Sequence, residues 1–189
     1  MKPDGLIDMT ASTIRRARKD CGHIVSLIQS ELDKGATLAL SLDDEEYRRR
    51  SKSTGSVGGH IRHNLDLVAC FIKGLRSGVI NYSARERDER VEIVREAAIV
   101  KTSAINEELR HLSGLDPETP VRVVSEVESG VEHPSTIGRE LEFLHSHTVH
   151  HHALINEKIS RYGIEFGEGF GVAPSTLEYW QGGSARDGR

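Results

Sequence analysis

The chain has 189 residues, with 25 Lys and Arg against 29 Asp and Glu and a formal net charge of −4, a balance that offers nucleic acid or an anionic membrane no electrostatic hold. Hydrophobic residues make up 37% and charged residues 29%, with the two signs interspersed, so a folded domain with its own core is expected. Two cysteines exclude a disulfide scaffold, and without an apolar N-terminal run or an apolar stretch of about 18 residues a cytoplasmic protein with no membrane partner is expected.

Ile14, Ala17, Cys21, Ile24 and Ile28 recur at three- and four-residue steps, which predicts a first helix over about 10–34 with Gly35 as its stop. A charged connection, 43–52, and a Ser/Thr/Gly cluster precede Val57, Ile61, Leu65, Val68, Ile72 and Leu75, a second helical face over about 56–76. Cys21 and Cys70 fall within these apolar stripes and read as buried free thiols. Ser83-Ala-Arg-Glu86 has the form of a capping box, so a third helix is expected from about 84 to Gly114, with Arg85, Glu86, Arg87 and Asp88 as its helix-start charges.

Gly114 to Pro134 forms a long connection, in which Val121, Val123 and Val127 suggest a short extended piece. Ser135 or Thr136 can cap a fourth helix that runs through Ile137, Leu141, Leu144, Ile155 and Ile159 to Gly163. The segment Phe170 to Thr176, followed by Tyr179 and Trp180, either folds back over the end of the bundle or forms a flexible terminus with one aromatic anchor. The fold class read from this pattern is all-α: a four-helix bundle with long helices and a long connection between the third and fourth, in a single domain over 1–180, with a disordered tail at 181–189.

Ten histidines occur, and five of them lie between His145 and His152. At about 100° per residue, with His147 at zero, the apolar arc of the fourth helix runs from about −20° to 120°, and it contains His147 and, at about 40°, His151. His150 lies at its margin, while His145 and His152 are expected outside it or at its edge. Two imidazoles one turn apart on a buried face each leave a polar ring to satisfy, and one divalent cation satisfies both. A further ligand must come from another helix, and in Gly59-His60-Ile-Arg-His63 both histidines touch the inward face, so periodicity does not choose between them.

His-Glu-x-x-His is absent. Glu108-Leu-Arg-His111 and Glu142-Phe-Leu-His145 have the Glu-x-x-His form of di-iron bundles, but both pairs are expected to face solvent. No phosphate loop and no Gly-x-Ser-x-Gly elbow occur.

Ser56-x6-His63 and, some eighty residues later, His147-x-x-His150-His151 make the chain similar to the DinB/YfiT-like metal-binding four-helix bundles. Gly59 to Asp66, Asn81 to Asp88 and Phe170 to Thr176 resemble stretches in a bacterial subgroup of that family. The resemblance implies that His63, His147 and His151 hold a divalent metal such as nickel, zinc or iron, with His60 and His150 lining the pocket and able to move protons. It further implies a metal-dependent enzyme acting on a small-molecule substrate, either a thiol S-transferase using a low-molecular-weight thiol or a hydrolase, and a homodimeric assembly. The other reading kept open is a non-catalytic metal- or ligand-binding stress-response protein whose ion staples two helices.

Overall fold

The computed structural model describes residues 20–50 and 55–184. In chain order these form α1 (Gly22–Ser41), α2 (Asp44–Arg48), α3 (Val57–Leu75), β1 (Val79–Ile80), α4 (Glu89–Ile93), α5 (Arg95–Arg110), β2 (Pro120–Val124), β3 (Glu132–Thr136), α6 (Ile137–Ser160) and α7 (Pro174–Ser184). The all-α expectation is therefore corrected to a mixed α/β fold, because the three strands form one sheet in the order β1-β2-β3. β1 pairs with β2 in parallel through Val79 opposite Arg122 and Ile80 opposite Val123. β2 and β3 are antiparallel, with Pro120 opposite Thr136 and Val124 opposite Glu132. The extended piece expected at Val121 and Val123 is β2, whereas Val127 lies beyond it in the hairpin connection.

α3 and α6 start where their caps predict. The Ser56 hydroxyl accepts the backbone N–H of Gly59 at 2.9 Å, and the Thr136 hydroxyl accepts that of Arg139 at 3.2 Å. α6 closes at Gly163, whose φ of 75° lets the Ile164 N–H reach back to the Ile159 carbonyl. Ser56 is buried, so Ser56→Ala strands a helix donor where water cannot replace the hydroxyl. It is expected to lower stability by about 1 kcal/mol, read as a lower midpoint of urea unfolding at unchanged slope.

The other helix boundaries differ from expectation. Residues 10–19 of the first predicted helix lie outside the described residues, and α1 runs through Gly35 to Ser41. Gly35 serves packing here, since a Cβ at that position would stand 3.3 Å from His152 Nε2. The predicted third helix is two helices with a late start. Arg87 has φ +54°, Asp88 caps α4, and Val94 is extended between α4 and α5. Instead of opening a helix, Ser83 donates its N–H to the Asn81 side chain in a tight turn beyond β1. α2 was not expected, although Asp43 and Glu46 form a complete capping box before it.

α1 packs on α5 and α6, and α3 packs on α4, α5 and α6. The core between them includes Val25, Ile28, Leu65, Phe71, Leu109, Leu141, Leu144 and Ile155. Cys21 and Cys70 are buried and free, as expected. Phe170 is 3% exposed and stacks on His152 at 4.5 Å, so the segment after α6 folds back against the α1 side of that helix. Tyr179 and Trp180 remain exposed on α7, which includes 181–184 of the expected tail, while 185–189 lie outside the described residues. Among the described residues no helix is long and apolar enough to cross a membrane.

Candidate metal centre

Capped at Ser56, α3 presents His60 and His63 from its first two turns toward α6, and α6 presents His147, His150 and His151 toward α3. His63 Nε2 lies 2.9 Å from His147 Nε2, and His60 Nδ1 lies 2.8 Å from His151 Nδ1. The His151 ring centroid is 4.6 Å from those of both His63 and His147. One ligand nitrogen from each of His63, His147 and His151 falls within 4.8 Å of the others, and no further His, Cys, Asp or Glu among the described residues joins this group. The structure thus brings together the three residues expected from α3 and α6. His60 stands behind His151, while His150 is exposed with its ring 5.5 Å from that of His151.

The donor set suits a divalent transition metal. Imidazole nitrogens about 2.0–2.1 Å from one ion and at right angles to one another would be about 3 Å apart, close to the separation seen between His63 and His147. All three rings favour the neutral form that a metal needs. Burial, then the neighbouring His147, Arg85, Arg62 and His60, lowers His63 to about 4. Burial and the surrounding His63, His147, His60 and His150 lower His151 to about 3, and burial with His150 lowers His147. The contact between His60 and His151 further allows His151 to donate from Nδ1 and turn the Nε2 lone pair to an ion.

These depressed values set the acid response. The unfolded chain, with histidines near 6.5, binds protons that the folded chain refuses, so stability is fully present above that pH and is lost as pH falls toward about 4. His145, also lowered by burial, adds in the same sense. The melting temperature of the metal-free chain is expected to fall steadily as the buffer is taken from pH 7 toward pH 4. A flat profile would count against these assignments.

His145 and His152 depart from expectation, being 7% and 1% exposed. α6 is buried along a stripe through Leu141, Leu144, His145, Thr148, His152, Ile155 and Ile159, with His147 and His151 half-buried at one edge. Polar members that find hydrogen-bond partners inside the fold hide this stripe from an apolar count. Thr148 donates to the Leu144 carbonyl at 2.8 Å, and His152 meets Glu31 of α1 at 3.0 Å. Burial raises the Glu31 carboxyl, but hydrogen bonds from His152 and Lys34 outweigh it and hold the group below its usual value. Glu108, His111 and Glu142 are exposed as expected, so neither Glu-x-x-His string forms an inward pair.

Sequence reasoning missed the aromatic wall beside the histidines. Phe143, one turn before His147, has its ring 5.4 Å from that of His147 and 5.4 Å from that of Tyr82. The spacing of four between Phe143 and His147 was the available signal. The Tyr82 hydroxyl donates to Glu140 at 2.9 Å and the Ser135 hydroxyl donates to the other carboxylate oxygen at 2.6 Å, joining the segment after β1, β3 and α6.

No family model matches the chain, and no solved structure matches it. Among curated proteins it is similar to FK506-binding protein 5 of Rhizopus delemar, with 30% identity over 105 residues, 53% of this chain. Those residues span 27% of the length of that protein.

Proposed function

We propose that the chain is a divalent-metal-binding protein of DinB-like type that uses His63, His147 and His151 in a metal-dependent reaction on a small molecule, thiol transfer or hydrolysis. The observation that carries this reading is the convergence of three neutral imidazoles from two helices with no acidic or thiol group among them. A divalent ion held there supplies a Lewis-acid face that lowers the pKa of a coordinated thiol or water. His60 orients His151 through the contact between their Nδ1 atoms, and exposed His150 is placed to pass a proton between solvent and the site. A set of three ligands leaves a side open, which favours catalysis over a purely structural staple between α3 and α6.

Elemental analysis of protein purified without a His tag tests the reading. About one nickel, zinc or iron per chain is expected, falling to less than about a tenth in a His63→Ala chain. No stoichiometric metal, together with an unchanged melting temperature in His63→Ala, would leave three histidines that merely pack.

A further inference from the structure

A cavity of about 540 Å³ lies between α1 and the segment that follows α6, a size typical of small-molecule sites, and no histidine of the metal centre lines it. Phe166 and Phe170 form its aromatic side, in edge contact with ring centroids 5.0 Å apart. A glycine turn sets the two rings: Gly167 has φ 42°, and the Phe170 N–H closes on the Gly167 carbonyl at 3.3 Å. Phe170 is buried and stacks on His152, so half-buried Phe166 is the ring open to a ligand.

The charged residues of the lining are Asp33 and Lys34 from α1 and Glu168 from the turn. The Lys34 ammonium is bound to Glu31 Oε1 at 2.6 Å, while the other oxygen of Glu31 meets His152, so the cation of the lining already has its anion. Asp33 and Glu168 form no ion pair among the described residues. Asp33 is exposed yet held in place. The Asn106 amide donates to its Oδ1 at 2.7 Å, and Gln29, also in the lining, donates to the Asn106 backbone carbonyl at 2.8 Å. Asn106 is 8% exposed, and its own Oδ1 is buried without a partner. Water alone would satisfy an exposed carboxylate, whereas here a buried amide fixes it and leaves an acceptor of its own unpaired. The result is an anion set in advance in the same cavity as an open aromatic ring.

We infer that this cavity binds a small arylalkylammonium cation, its ammonium paired with Asp33 under the added charge of Glu168 and its ring against Phe166. Two carboxylates facing no free cation select an amine over an acid, and the aromatic side selects an organic cation over a bare metal ion. The site is separate from the metal centre and needs no ion there.

The test is calorimetric titration of the full chain, in the presence of a chelator, with tryptamine and with its uncharged analogue tryptophol. One tryptamine is expected per chain, bound about tenfold more tightly than tryptophol, as suits a fixed carboxylate and a cation–π contact at a part-open site. Asp33→Asn, which can still accept the Asn106 hydrogen bond, is expected to cut the preference to about threefold or less by weakening the amine alone. Phe166→Leu keeps the space filled and is expected to weaken the amine about threefold, and tryptophol less, through the lost cation–π contact. Zinc in place of the chelator is expected to change neither affinity. Equal affinities in the unmodified chain, an undiminished preference in Asp33→Asn, or tryptamine binding indifferent to Phe166→Leu would overturn the assignment. A tryptamine affinity that moves with zinc would overturn it too, by placing the amine at the histidines.

Discussion

Saturating zinc or nickel is expected to raise the melting temperature of the untagged chain by about 10 °C, and the rise is expected to vanish in His151→Ala. An ion that binds the folded state and not the unfolded one stabilises by mass action, about 4.1 kcal/mol when the free ion is at a thousand times its dissociation constant. For a chain of this size each kcal/mol moves the midpoint by roughly 2–4 °C. His151 is the residue to remove because its ring stands equally close to those of His63 and His147 and because His60 braces it from behind. It lies at the edge of the buried stripe of α6, so Leu144, Thr148 and Ile155 keep that helix in place without it. Melting curves with ion, without ion and after a chelator decide the matter. An equal rise in both chains would put the ion elsewhere on the molecule.

Gly58→Ala is expected to cost about 3 kcal/mol or more and to weaken metal binding with it. A Cβ on Gly58 would stand 2.2 Å from the Glu92 carbonyl oxygen and 2.5 Å from the Tyr47 ring. Neither neighbour yields easily. The carbonyl belongs to the α4 backbone, and Tyr47 is wholly buried with its hydroxyl donated to the Val91 carbonyl at 2.6 Å. The N-terminal turn of α3 must therefore move away from α4, and His60 and His63 follow within the next turn and a half. Urea unfolding reads the first effect and ion affinity the second. Gly114→Ala, where a Cβ meets nothing within 4 Å, serves as the control expected to change neither.

α3 and α6 were legible because each combines an unbroken apolar stripe with a hydroxyl cap in register with it, so local pattern and tertiary role agree. The sheet was not, because its pairings are remote. Val79 acquires its partner 43 positions later at Arg122, and β3, Glu-His-Pro-Ser-Thr, carries neither alternation nor a run of β-branched residues. The break in the third predicted helix was hidden for another reason, since the pattern Ser83 to Glu86 suits a helix start as well as the turn that follows β1. At the histidines, apolar periodicity put His147 and His151 inside the buried arc of α6, whereas they stand half-buried at its edge and the buried arc lies further round the helix. His152 and His145 are interior because polar residues share that arc, and the partner of His152, Glu31, is 121 residues away. The choice between His60 and His63 came from family resemblance. In the structure they meet different partners, His151 and His147, a distinction that no helical period contains.

β3 passes into α6 with no residue between them, Thr136 being both the last residue of the strand and the cap of the helix. A flexible joint would absorb any movement of the hairpin. Here the last strand of the hairpin and the element that carries His147 and His151 are joined without a spacer, and the junction is tied by the Tyr82, Ser135 and Glu140 hydrogen bonds. The joint therefore has no loop to absorb a displacement, so a substitution that breaks the Glu140 hydrogen bonds bears directly on the first turn of the helix that carries the histidines.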